Sequence, residues 1–125
     1  MDSQRPVLVC SQRHGALATA LLDTGHVPLV RNRIDEALET LRHERIEGIL
    51  VNASHTDVDV LEFVLNVRDV DEGVPIVVTA SDAALEGLGP ALREISGVRV
   101  APANASPEQA VAALERILGA LEKHS

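Results

Sequence analysis

Five short apolar runs alternate along the chain with longer stretches in which apolar residues recur at helical spacing. Residues 6–10, 27–30, 48–52, 74–80 and 98–101 read as strands, each closed by polar or glycine-containing punctuation. The segment Ile76-Val77-Val78 is β-branched throughout and shows no polar alternation. Such a strand is buried on both faces, which requires a parallel sheet covered by helices on each side.

The intervening stretches predict five helices. The first covers about residues 13–23, with Leu17, Leu21 and Leu22 inward and Gly25 as its stop. The second starts after Asn32, an N-cap residue type, with Asp35 at the third helical position. Its Leu38 and Leu41, with Ile46 beyond, face inward, while Glu36, Glu39 and Arg42 face water. The third begins after Asp57 or Asp59 and carries Leu61, Val64, Leu65 and Val67 to about Arg68. In the fourth, Gly87, Gly89 and Pro90 divide residues 81–95 into a short turn, a break and a stub from Pro90 onward. The last opens on Ser106-Pro107-Glu108-Gln109, a capping box with proline at the first helical position. Ala110, Val111, Leu114, Ile117, Leu118 and Leu121 then form one stripe down to Lys123.

A strand followed by a helix, five times over, predicts an α/β fold. The expected form is a doubly wound (βα)5 three-layer sandwich with a parallel five-stranded sheet of flavodoxin-like order 2-1-3-4-5. Residues 1–125 are expected to form a single domain, since no internal repeat, linker or low-complexity segment divides them. Ligands of such sheets bind at the carboxyl ends of the strands, here near Ser11, Asn52 and Thr79.

Composition narrows the function classes. Apolar residues make up 46% of the chain, yet Phe63 is the single aromatic, so the core is built from Val, Leu, Ile and Ala. A chain without aromatic platforms is poorly suited to single-stranded nucleic acid. The net charge of −8, with Lys123 the single lysine, opposes phosphate-backbone binding as well. Cys10 is the single cysteine, so no intrachain disulfide forms and a reducing cytoplasm is the expected compartment. Met1-Asp2-Ser3-Gln4-Arg5 has no apolar core of a signal peptide, and no apolar run is long enough for a membrane span. A cytoplasmic chain with neither nucleic acid nor membrane as partner is expected.

The segment Gly48-Ile49-Leu50-Val51-Asn52-Ala53-Ser54-His55-Thr56-Asp57-Val58-Asp59-Val60-Leu61-Glu62 carries the most specific signal. It resembles the third strand and following loop of bacterial response-regulator receiver domains of the CheY-like kind. In that family the strand ends in the aspartate that accepts a phosphoryl group, and an Asp-Gly-Leu-Glu-like helix start follows. Here Asp59, Leu61 and Glu62 keep the spacing, but the acceptor position is Asn52. Val74-Pro75-Ile76-Val77-Val78-Thr79-Ala80 resembles the family's fourth strand with its hydroxyl residue, Thr79.

What the resemblance implies is a small magnesium site that this chain lacks. Ser11 and Gln12 stand where the family has two acidic residues after the first strand. Ala103 stands at the lysine position before the last helix, and aligning Ala101-Pro102 there instead still supplies no lysine. Carboxylates hold Mg²⁺, and the metal with the lysine neutralises the transferring phosphoryl group. A carboxamide carries no charge and is a poor nucleophile. The expectation is therefore a degenerate, phosphorylation-independent receiver-like domain: no enzyme, no cofactor, no metal, acting through protein–protein contacts in bacterial signalling. Its partner is expected to be a signalling protein such as a histidine kinase, or a second copy of the chain. By resemblance the partner surface involves the fourth helix, fifth strand and fifth helix, with Leu88, Leu92 and Val100 as candidate contacts and with a fourth-helix break reshaping that face.

Cys10 supplies an alternative from a different class. A cysteine ending the first strand resembles the phosphorylated cysteine of phosphotransferase-system IIB proteins, with Cys10-Ser11-Gln12-Arg13-His14-Gly15 as its loop. A strand-end cysteine also serves as a small buried hydrophobe, and exposure of the sulfur separates the two readings. His55, Asp57 and Asp59 alternate on one loop, where such residues form caps and solvated turns as readily as metal sites.

Overall fold

The computed structural model describes residues 6–10, 15–52, 60–101 and 105–123, without side chains at 82–86, 88 and 120–123. The elements run β1 (Val7–Cys10), α1 (Gly15–Asp23), β2 (Pro28–Arg31), α2 (Ile34–His43), β3 (Gly48–Asn52) and α3 (Val60–Val70). β4 (Ile76–Thr79), α4 (Asp82–Arg93), β5 (Val98–Val100) and α5 (Pro107–Lys123) complete the chain. All four strand pairings are parallel, in the order β2-β1-β3-β4-β5. This is the doubly wound, flavodoxin-like arrangement that the alternating pattern predicts.

Strand alternation divides the core into two layers. Val7, Val9, Leu50 and Val77 pack with Leu17, Ala20 and Leu21 of α1 and Ala110, Val111 and Leu114 of α5. Leu8, Cys10, Ile49, Val51, Ile76 and Val78 point the other way, onto α2, α3 and Leu92 of α4. Phe63 is fully buried in this second layer. At Gly48 the sheet meets α5 so closely that a Cβ would lie 2.7 Å from Leu114 Cδ1.

Local signals set several helix ends. Ser106 Oγ accepts from the Gln109 N–H at 3.1 Å, and Gln109 Oε1 accepts from the Ser106 N–H at 2.8 Å, closing the predicted capping box. Gly25 follows α1 with φ +86°, a conformation open to glycine, and its N–H donates to the Leu22 carbonyl at 3.1 Å.

Other expectations need correction. The residue before α2 is Arg33, not Asn32, and its side chain makes no cap. Instead the guanidinium grips Asp35 through Nε at 3.1 Å and Nη2 at 3.2 Å, where Asp35 suits the helix dipole. Leu22 is 61% exposed and Leu65 49%, because each lies one residue past the buried stripe of its helix. Those stripes are Leu17, Ala20 and Leu21 in α1, and Val60, Phe63, Val64 and Val67 in α3. Most consequential, α4 is continuous through Pro90 rather than broken there. Proline forfeits a single backbone bond, and burial of Leu92 holds the helix against the sheet. Leu92 is 0% exposed, so it is a core residue and not a surface contact, and no helix break reshapes this face.

Candidate functional site

Asn52 and Thr79 end adjacent strands and pair in register. Continuing the alternation of β3 and β4, both belong to the α1/α5 side of the sheet. Thr79 is buried and Asn52 half-buried. They floor a shallow cleft of about 190 Å³, with Ala16 and Leu17 of α1 on one wall. Ala105, Ser106, Pro107 and Ala110 at the start of α5 form the other. The capping box thus has a second consequence: it aims the first turn of α5 at the strand ends and sets the Ser106 hydroxyl beside the cleft. The cap itself was legible in sequence; its place on the cleft wall follows from the α1–α5 packing.

No charged side chain lines this cleft among the described residues. Neither do the described residues hold a cluster of three His, Cys, Asp or Glu suited to a metal ion. The described lining offers an amide, two hydroxyls and small apolar walls, groups that can hydrogen-bond a ligand but carry no charge. Ser11, Gln12 and Ala103, together with His55, Asp57 and Asp59, lie outside the described residues. The structure therefore brings Asn52 and Thr79 together and leaves the other positions to the sequence. Of the surface candidates, Val100 is half-buried against the second core layer, and the Leu88 side chain lies outside the described residues.

Cys10 belongs to the opposite side of the sheet. It is 0% exposed, in the layer that contains Ile34 and Ala37. Burial, and next the charge of Glu36, pushes its thiol up to about 11. A thiol in that state is protonated at neutral pH and unreachable, whereas a nucleophile needs an accessible thiolate. The phosphotransferase reading is overturned by this burial.

A wider surface hollow of about 400 Å³ lies by α2, lined by Arg31, Glu36, Glu39, Thr40, His43 and Glu44. Arg31 Nε donates to Thr40 Oγ1 at 2.7 Å, and that hydroxyl donates to the Glu36 carbonyl at 2.9 Å. These two bonds tie the hollow's own polar groups to one another.

No protein-family model and no curated protein matches the sequence. The three-dimensional arrangement does find similar folds. A chemotaxis response regulator of Vibrio cholerae, CheY4, superposes with a TM-score of 0.77 at 18% identity, covering 92% of this chain and 99% of its own. A CheY-like response regulator receiver domain protein from Methanospirillum hungatei gives 0.79 at 16% identity, over 98% and 100%. The fold is the receiver fold. A third example is the receiver domain of a Pseudomonas aeruginosa sensor histidine kinase, with a TM-score of 0.78 at 15% identity over 94% and 99%. That receiver holds a magnesium ion coordinated in its active-site cleft. Among the described residues no helix is long and apolar enough to cross a membrane.

Proposed function

We propose that this chain is a pseudo-receiver: a single receiver-like domain over residues 1–125 that works in bacterial signal transduction without being phosphorylated. The observation that carries the reading is Asn52, an uncharged amide at the end of a central strand, beside Thr79 in a cleft whose described lining holds no charge. Receiver chemistry needs an anionic oxygen to attack the phosphoryl donor and clustered carboxylates to hold Mg²⁺. The sequence places Asn52, Ser11 and Gln12 where those carboxylates would stand and Ala103 where a counter-charge would stand. Neutral residues also remove the mutual repulsion of three clustered carboxylates, which favours one conformation without metal. The domain acts in the cytoplasm as a binding module rather than an enzyme, on a protein partner such as a histidine kinase or a second copy. Val100 and Leu88 remain candidate contacts.

Acetyl phosphate or beryllofluoride with Mg²⁺ tests the reading. Intact mass and the amide NMR spectrum are expected to stay unchanged, and an adduct on any side chain would sink the proposal. Affinity capture from native lysate, with Leu88→Glu as a comparison, then identifies the partner.

A further inference from the structure

Arg68, in the last turn of α3, reaches across to the turn between α4 and β5. Its Nε donates to the Ser96 carbonyl at 2.9 Å and its Nη1 to the Asp71 carbonyl at 3.1 Å. The third nitrogen, Nη2, is buried and has no hydrogen-bond partner among the described residues. Gly97 makes room for it: with φ +77° the chain turns tightly there, and a Cβ would lie 2.5 Å from Nη2. Desolvation pulls the guanidinium below its ordinary pKa, and Asp71 partly offsets this.

These contacts hold a weak part of the fold. β5 has three residues and sits at the edge of the sheet, hydrogen-bonded to β4 alone. The turn leading into it is tied by long backbone bonds, 3.3 Å from Glu94 N to the Ala91 carbonyl and 3.3 Å from Val98 N to the Ile95 carbonyl. On either side lie firm points. Leu92 is fully buried, and the Ala101 N–H donates to the Val78 carbonyl at 2.9 Å.

We propose that Arg68 is a latch on the β5 edge, and that its release lets residues 94–100 peel from β4 between Leu92 and Ala101. Two carbonyl bonds close the latch. A buried donor without a partner, and the cost of desolvating the charge, press it open, because water satisfies Nη2 once the turn lifts. The closed form is favoured by the surplus of the two carbonyl bonds over these costs, and loss of Arg68 removes that surplus. Peeling frees the outer hydrogen-bonding edge of β4 and the half-buried sides of Val98 and Val100. The inference does not depend on the chemistry of the Asn52 cleft.

Amide hydrogen exchange on the intact chain reads the latch. The reporters are Ile76, whose N–H donates to the Gly97 carbonyl at 3.0 Å, Val98, whose N–H donates to the Ile95 carbonyl at 3.3 Å, and Arg99, whose N–H faces β4 in the parallel register; the references are Leu8, Val9 and Leu50 in the centre of the sheet. In Arg68→Met the reporters are expected to exchange at least tenfold faster while the references change less than twofold. Arg68→Lys, which keeps the charge but not the two-carbonyl span, should behave like Arg68→Met. Ser96→Ala should be silent, since the contact uses the backbone carbonyl. Equal acceleration of reporters and references, or no acceleration, overturns the proposal, as does a Ser96→Ala effect as large as that of Arg68→Met. Should the Arg68 variants fail to fold, the unmodified protein decides. Reporter exchange is expected to be insensitive to low denaturant, the mark of local opening. Reporters that exchange only with the references, through global unfolding, also overturn it.

Discussion

An amide nitrogen in place of a carboxylate oxygen separates Asn52 from the aspartate of a working receiver, and its consequences reach stability as well as chemistry. Asn52→Asp places a carboxylate at a half-buried strand end beside Thr79, with no cation in the described lining. The variant is expected to lose about 1–3 kcal/mol at neutral pH and to remain inert to acetyl phosphate. Desolvation raises the folded pKa of the new carboxyl above its unfolded value, so the native state binds the proton more tightly. The deficit is then full above the folded pKa and disappears as pH falls below the unfolded value of about 4. Denaturant unfolding at pH 7 and pH 4 measures it; greater stability of the variant at pH 7 would mean that a cation faces the pocket. Cys10 gives the complementary test. Its folded pKa is raised from 9.0 to about 11, so its contribution to stability is complete below pH 9 and is lost as pH rises through about 11. The wild type is expected to lose about 1–3 kcal/mol more than Cys10→Val between those values, measured by urea unfolding.

At the scale of elements, Gly87 within α4 and Gly97 at the turn into β5 have opposite roles. Gly87 is exposed on α4, and an added Cβ would meet nothing within 4 Å, so Gly87→Ala is expected to stabilise by about 0.5–1 kcal/mol. Gly97 has φ +77° and abuts Arg68, so Gly97→Ala is expected to cost more than about 1 kcal/mol. Midpoints of denaturant unfolding decide both signs. Elements specified by neighbouring residues were the legible ones. Ser106 and Gln109 bond each other within one turn, and Gly25 ends α1 by its own backbone freedom. Where the deciding contact came from elsewhere, sequence patterns misled. Pro90 breaks a helix only when nothing else holds it, and Leu92 holds this one. Asn32 is a good cap residue, yet α2 starts one residue later. There Arg33 makes no cap and pairs with the Asp35 carboxylate instead.

For the whole molecule, a cleft with no charge in its described lining predicts indifference to magnesium. A ligand that binds only the native state raises stability with its concentration. Millimolar Mg²⁺ is expected to leave the melting temperature unmoved, measured by calorimetry with and without chelator. A rise that chelator reverses would place carboxylates near the strand ends, with Asp57 and Asp59 the first to test. The net charge of −8 makes a small non-specific salt effect unavoidable, so the comparison is made against sodium chloride of equal ionic strength.

The order of strands and helices, their parallel pairing and the uncharged identity of Asn52 are all written in the sequence. Periodicity encodes which residues must leave water, and short-range bonds encode where helices begin and end. Folding in three dimensions was needed to turn Cys10 toward α2 while Asn52 and Thr79 belong to the α1/α5 side. The sequence could not settle the fate of a cysteine at a strand end, because exposure depends on helices distant along the chain. Neither could it show that Arg68, an ordinary helix-end arginine in sequence, spans to the Ser96 carbonyl with one donor unpaired among the described residues. Those contacts join residues that meet only when the sheet closes, and burial rather than pattern sets their energies.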